Sequence, residues 1–175
     1  MMVQLVRMSE EHVDRTWSWL AQSAELRAQI DSLDVPSRDG NRRYWQQKLQ
    51  DKSREDYAIL TDASHHAGNC GLMAIDARRK KAELWIYLGE TFGHGVGTKA
   101  LRLLLSRAFD ELKLRRVYIR VVATNQRALA FYLRAGFKIE GCARSDTIQD
   151  GKSLDSTLLS ILSDERGHAD RERKS

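Results

Sequence analysis

Two hydrophobic periods divide the chain. In the first third, apolar residues recur at helical spacing; from Tyr57 to Leu88 the period changes to alternation at every second position. Residues 3–6 read as a short first strand. Ser9 then offers an N-cap hydroxyl, and Glu10 and Glu11 favour a helix start through the macrodipole. Val13, Trp17 and Leu20 follow at helical spacing, and a second helical stretch is predicted over 24–30. The one proline, Pro36, and the Asp39-Gly40 pair mark 31–41 as a loop, with a helix again over 42–49. Strands are predicted at 57–61, 70–75 and 82–88, separated by polar turns at 62–69 and 76–81. In the third of these, Leu84, Ile86 and Leu88 share one face, and Glu83, Trp85 and Tyr87 the other. Connections this short make the three an antiparallel meander.

A glycine-rich segment, Gly93-His94-Gly95-Val96-Gly97, comes next. Leu101, Leu104, Leu105, Ala108, Phe109 and Leu112 then describe the apolar stripe of a long helix. Val117, Ile119 and Val121 form the inward face of a strand. Asn125 caps a helix reaching Ala135, Gly136 ends it, and Phe137 opens a last strand pair joined at Asp150-Gly151. The expectation is one α+β domain over 1–163, with a polar, disordered tail over 164–175.

Composition fits that reading. The 175 residues are 42% hydrophobic and 30% charged, which suits one globular domain with a real core. No apolar run approaches the roughly 18 residues of a membrane span, and no secretory signal is read at the N-terminus. Cys70 and Cys142 form neither a disulfide framework nor a metal-ligand spacing, so no metal is expected and a cytoplasmic setting is. The net charge of +5 is diffuse. Clusters such as Arg78-Arg79-Lys80-Lys81 lack interleaved aromatics, so no nucleic-acid partner is expected, although a basic pI leaves RNA to be tested.

The glycine segment carries the first chemistry. Glycines at a strand-to-helix junction allow tight turns and close ligand approach, and the first N–H groups of a helix are unpartnered at its positive end. The result is a cradle for phosphate or pyrophosphate; the bland alternative is a turn without ligand. Gly95-Val96-Gly97-Thr98-Lys99-Ala100 fits the dinucleotide G-x-G-x-x-A pattern in letters only. The following strand ends in Ala123-Thr124-Asn125 where an acidic residue is needed, and the loop follows an antiparallel meander. No Walker P-loop pattern occurs.

Two ordered motifs then give a resemblance. Phe92-Gly93-His94-Gly95-Val96-Gly97 resembles the R/Q-x-x-G-x-G/A acyl-CoA loop. Asn125 to Phe137 resembles an N-x-x-A-x-x-x-Y-x-x-x-G-F block. Together they resemble the GNAT N-acetyltransferase superfamily, in the branch holding ribosomal-protein N-terminal, amino-sugar and polyamine acetyltransferases. The resemblance covers about Tyr57 to Leu162; residues 1–56 match in outline. Phe92 stands where the broad pattern has Arg or Gln, a side chain that is not the main phosphate contact.

The resemblance implies a mixed, mostly antiparallel sheet of about seven strands flanked by helices, splayed between strands four and five. It implies acetyl-CoA as co-substrate, a primary amine as acceptor, and a homodimer as a plausible assembly. Gly93, His94, Gly95, Val96, Gly97 and Thr98 would hold the diphosphate, with Phe92, Lys99, Asn125 and Phe131 beside the cofactor. A Leu88 amide would polarise the thioester carbonyl. Tyr132 is the implied general acid for the departing thiolate; Phe131-Tyr132 could also be plain aromatic packing. An amine with a pKa near 10 is only about 0.1% free base at neutral pH, so a base or water chain is expected. Glu83 is the candidate, against a surface ion pair with a neighbouring strand; Glu90 and Asp76 are weaker ones. Trp17, Trp19, Tyr44 and Trp45 could line an acceptor pocket or belong to the core. Three readings follow: an N-acetyltransferase for a small amine such as an amino sugar or polyamine, the same chemistry on a protein N-terminus, or an acetyl-CoA-binding module without turnover.

Overall fold

The computed structural model describes residues 2–29, 35–62, 65–89, 95–149 and 151–166. The elements run β1 Val3–Arg7, α1 Glu10–Gln22, α2 Ala24–Gln29, α3 Arg38–Gln50, β2 Glu55–Thr61, β3 His65–Asp76, β4 Lys81–Leu88, α4 Val96–Ser106, β5 Arg116–Val122, α5 Gln126–Arg134, β6 Lys138–Gln149 and β7 Lys152–Leu162. Seven strands form one sheet in the order β1-β2-β3-β4-β5-β7-β6. Every neighbouring pair is antiparallel except β4 with β5, which is parallel. That is the mixed α+β sheet the family resemblance implied.

Alternation along the strands builds two cores. Tyr57 and Ile59 of β2 and Leu84, Ile86 and Leu88 of β4 join the large cluster under α4 and α5, with Val96, Leu101, Leu104 and Val117. On the opposite face, Ala58 packs with Met8, Val13 and Trp45. There Tyr87 packs with Trp19, Leu20 and Leu26, and Trp85 touches both groups. The polar-looking face of β4 is therefore roofed by α1–α3. The two layers are stitched at Gly89, where a Cβ would lie 2.0 Å from the Trp19 indole, so only glycine lets α1 close onto the end of β4.

Three local expectations change. The helix predicted over 42–49 begins earlier, at Arg38, because the Ser37 hydroxyl accepts a 3.0 Å hydrogen bond from the Gly40 N–H and caps it. The polar stretch before Cys70 is strand from His65, paired with Thr61. The long helix after the glycines ends in a π-turn, Arg107–Glu111. Beyond β7, Glu165 pairs with Lys138 at 2.5 Å and Arg166 with Asp110 at 2.5 Å; residues 167–175 lie outside the described residues. No helix among the described residues is long and apolar enough to cross a membrane.

The π-turn delivers Arg107 to Glu55 through two 2.8 Å hydrogen bonds. Arg7 and the Tyr57 hydroxyl complete the set at 2.9 and 2.6 Å. Arg107, against the opposing cost of burial, holds the Glu55 carboxyl down to about 2. A carboxyl depressed in the folded state stabilises the fold above its unfolded value and loses that contribution as pH falls through the folded one. Two outcomes are expected in urea unfolding. The stability gap between wild type and Glu55→Gln narrows as pH drops from about 4.5 towards 2. Gly89→Ala costs about 1–3 kcal/mol by overpacking against Trp19.

Candidate active site

The site begins where β4 and β5 part. Their pairing covers Lys81↔Arg116, Ala82↔Val117 and Glu83↔Tyr118 and goes no further, although β4 runs on to Leu88 and β5 to Val122. Each strand stays bound on its other side: β4 to β3 from Lys81 to Leu88, and β5 to β7 from Arg116 to Val122. The Gly89 N–H donates to the Ala67 carbonyl at 2.9 Å. Residues 67 and 89 are thus a hydrogen-bonded pair of the antiparallel ladder. By alternation Ile86 and Leu88, the latter opposite Gly68, turn their backbone groups away from β3 into the gap.

A cleft of about 970 Å³ passes through this gap, lined from both layers of the fold. On the α4–α5 side stand Leu88, Gly95, Gly97, Thr98, Asn125, Phe131 and Tyr132. Gly95 caps α4 with φ +72°, a left-handed conformation suited to glycine, and no side chain caps the helix. Lys99 N–H donates to the Gly95 carbonyl at 3.0 Å, and among the described residues the first-turn amides of Val96, Gly97 and Thr98 have no helical partner. Buried Val96 anchors the turn from below. A helix start of this kind favours an anion. Lys99 is exposed and is not among the residues lining the cleft. Phe92, Gly93, His94 and Glu90 lie outside the described residues.

Asn125 caps α5, its Oδ1 accepting the Ala128 N–H at 3.0 Å, and Gly136 with φ +94° follows the helix end. The Phe131 ring lies 3.7 Å from a Cβ placed on Gly97. Tyr132 is buried between Phe131 and Phe137 at ring separations of 5.0 and 5.4 Å. Burial, with a small contribution from Cys70, pushes its hydroxyl well above the usual range, so it stays a phenol.

On the α1–α3 side, Glu83 sits at the last paired position, buried, with Trp85, Tyr87, Tyr44, Trp45 and Arg54 nearby along the cleft wall. Tyr44 and Trp45 reach the cleft. Trp19 is core, and the Trp17 indole donates to the Pro36 carbonyl at 2.9 Å without joining the lining. Asp76 belongs to the β3–β4 turn, held by Arg79 at 2.9 Å and away from the cleft. The wall is set by a buried network: Asn69 Nδ2 donates to Thr16 Oγ1 and to the Tyr87 hydroxyl, both at 2.8 Å.

Two further charged residues stand here that no motif singled out, Arg120 and Asp146. Arg120 Nε lies 3.3 Å from Glu83 Oε1, and its Nη1 lies 3.5 Å from Asp146 Oδ1. The one sequence signal for Arg120 is its place on the face of β5 opposite Val117, Ile119 and Val121. Asp146 gives none. Among the described residues no group of three or more His, Cys, Asp or Glu is placed to hold a metal ion.

A splayed sheet, a helix start at Gly95 and a buried phenol thus share one cleft. The family model for the GNAT acetyltransferase domain matches residues 3–138, so the chain belongs to that family, whose members use acetyl-CoA. It is 33% identical over 119 residues to the ribosomal N-acetyltransferase-like protein YdaF of Bacillus subtilis (strain 168), covering 67% of this chain and 64% of that protein. It is 28% identical over 115 residues to the spermidine N(1)-acetyltransferase of Escherichia coli (strain K12), covering 65% and 61%. The matches thus span under two thirds of these relatives' own length. Among solved structures, spermidine N-acetyltransferase from Vibrio cholerae in complex with CoA and spermine superposes with a TM-score of 0.86 at 18% identity, covering 93% of this chain and 96% of that one. At that identity the likeness concerns the fold.

The Asn125 cap can be tested alone. Asn125→Ala should cost about 1 kcal/mol of stability in urea unfolding, and Asn125→Asp should keep most of it.

Proposed function

We propose that this chain is an N-acetyltransferase that carries the acetyl group of acetyl-CoA to a primary amine by direct attack in a ternary complex. The observation that carries the reading is the β4–β5 gap, which joins helix amides without a partner among the described residues on one side to a buried carboxylate, Glu83, on the other. These features fit acetyl-CoA. The first turn of α4 and Gly95 before it suit its diphosphate, and the inward-turned amides at Ile86 and Leu88 can pair with an extended pantetheine arm. Acetyl-CoA supplies an acyl carbon activated by a thiolate leaving group.

In this reading the Leu88 amide donates to the thioester oxygen as charge develops on it, a donor type worth about 2.7–4 kcal/mol where removed from other enzymes. Glu83, directly or through water, takes one proton from the acceptor ammonium and passes it to solvent. The freed nitrogen lone pair forms the C–N bond. The C–S bond breaks with its electron pair on sulfur, which Tyr132 protonates. The remaining surplus proton on nitrogen returns to the Tyr132 oxygen. The raised proton affinity of buried Tyr132 keeps it a donor throughout the neutral range.

The acceptor we favour is a small-molecule amine such as an amino sugar or polyamine. The enclosure of the cleft by α1 and α3 and the relatives named for spermidine support it. The ribosomal-type relative supports a protein N-terminus as a second reading.

The experiment is thiol release from acetyl-CoA with glucosamine, spermidine and a free N-terminal peptide as acceptors. Release that depends on one of these amines is expected. Glu83→Gln and Tyr132→Phe should lower kcat by about 10²–10⁴ while acetyl-CoA still binds in calorimetry. Bound acetyl-CoA with no release against any amine leaves a binding module and overturns the catalytic reading.

A further inference from the structure

The charge at the acceptor end of the cleft is arranged in a way that the proposed chemistry does not by itself require. Two carboxylates share one guanidinium. The side chains of Glu83 and Asp146 are 12% and 23% exposed, whereas Arg120 between them is 50% exposed. Its contacts are loose: 3.3 Å to Glu83, and 3.5 Å to Asp146 without a hydrogen bond. The adjacent Arg54 is committed elsewhere, locked to Asp56 by two 2.8 Å hydrogen bonds with both side chains buried. Arg120 is thus a half-solvated cation resting against two better-covered anions that open onto the cleft.

Asp146 is brought there by a distortion of the sheet edge. Ala143 pairs with Ser156 and Thr147 with Leu154, so β6 carries two residues more than β7 over this interval. Ser145 takes φ +54° inside the bulge, and its N–H donates to Asp155 Oδ1 of β7 at 2.8 Å. A bulge re-aims a side chain. Here it carries the Asp146 carboxylate across β7, which lies between β6 and β5 in the sheet, to the guanidinium on β5. A regular β6 would not bring it there.

We propose that Arg120 is a resident counter-ion at the acceptor-ammonium position, and that Asp146 is the residue that receives it when the amine enters. In the free protein Arg120 neutralises Glu83. When an ammonium arrives beside Glu83, the guanidinium shifts fully onto Asp146, leaving two cations against two anions and no unpaired charge in the cleft. Asp146 is in this account a positioning residue, acting on the acceptor through Arg120. The inference rests on the reading of Glu83 as the group that meets the acceptor nitrogen.

The test is an NMR titration of the CoA-loaded protein with glucosamine and with spermidine, independent of turnover. Asp146→Asn should weaken amine binding roughly fivefold, because Arg120 then stays on Glu83 and competes, a shift of the size of one partly screened ion pair. In the Asp146→Asn/Arg120→Gln double variant binding should return to the wild-type value or better, whereas Asp146→Asn/Arg120→Lys should remain weak. CoA affinity should be equal in all four proteins, which shows that the cleft is intact. Neither amine binding to wild type, or Asp146→Asn/Arg120→Gln binding as weakly as Asp146→Asn, overturns the proposal. Amine binding in the expected pattern without acetylation sustains it and sinks the catalytic reading instead; acetylation with Asp146→Asn indistinguishable from wild type does the reverse.

Discussion

The structure turns on a failure of two neighbouring strands to stay paired. β4 and β5 share a parallel ladder for three residue pairs, then separate while each remains fully engaged on its outer edge. Splitting the ladder removes backbone hydrogen bonds that would each contribute about 1 kcal/mol net, and it opens inward-facing amides to whatever fills the gap. Side chains from both layers meet at that opening. Leu88 and Phe131 approach Gly97 from the helical side, at 3.8 and 3.7 Å from a Cβ placed there. Trp85 and Tyr87 wall the other side. A continuous sheet would have sealed one layer from the other.

The two cores divide the labour. The larger, under α4 and α5, is mostly aliphatic and holds the helix start at Gly95 through buried Val96, Ala100 and Leu101. The smaller pair under α1–α3 is built around Trp19, Trp45 and Tyr87, and the Tyr87 hydroxyl is held by the Asn69–Thr16 network. A fully buried Asn is tolerated because both of its ends are used: His66 Nε2 lies 2.7 Å from its Oδ1. Burial lowers the proton affinity of His66, which matches a neutral imidazole in that network. One wall thus presents backbone and glycine, suited to a flexible anionic ligand. The other presents rings and a carboxylate, suited to an amine.

Local rules served well where one short-range interaction settles the outcome. Asn125 capping α5, Gly136 in the left-handed region after it and Gly151 in the β6–β7 turn, with φ +73°, follow from residue type and spacing. They failed where a contact overrode propensity. Gly40 weakens a helix, yet Ser37 caps it and α3 starts at Arg38. The polar run before Cys70 read as a turn, yet backbone pairing with β2 carries β3 back to His65.

The amino-acid sequence by itself determined the element order, the inward faces of β4 and β5, the glycine-to-helix junction and the Asn125–Phe137 block, because each is a matter of period, cap or motif within some fifteen residues. Only the tertiary structure decided where β4 and β5 separate, which of Tyr44, Trp45, Trp17 and Trp19 reach the cleft, and that Arg120 and Asp146 stand beside Glu83. Those outcomes depend on strands 37 and 63 positions apart in the chain meeting at one end of the sheet. The physical reason is that pairing register and a bulge in β6 set the direction of those side chains, and neither leaves a local pattern.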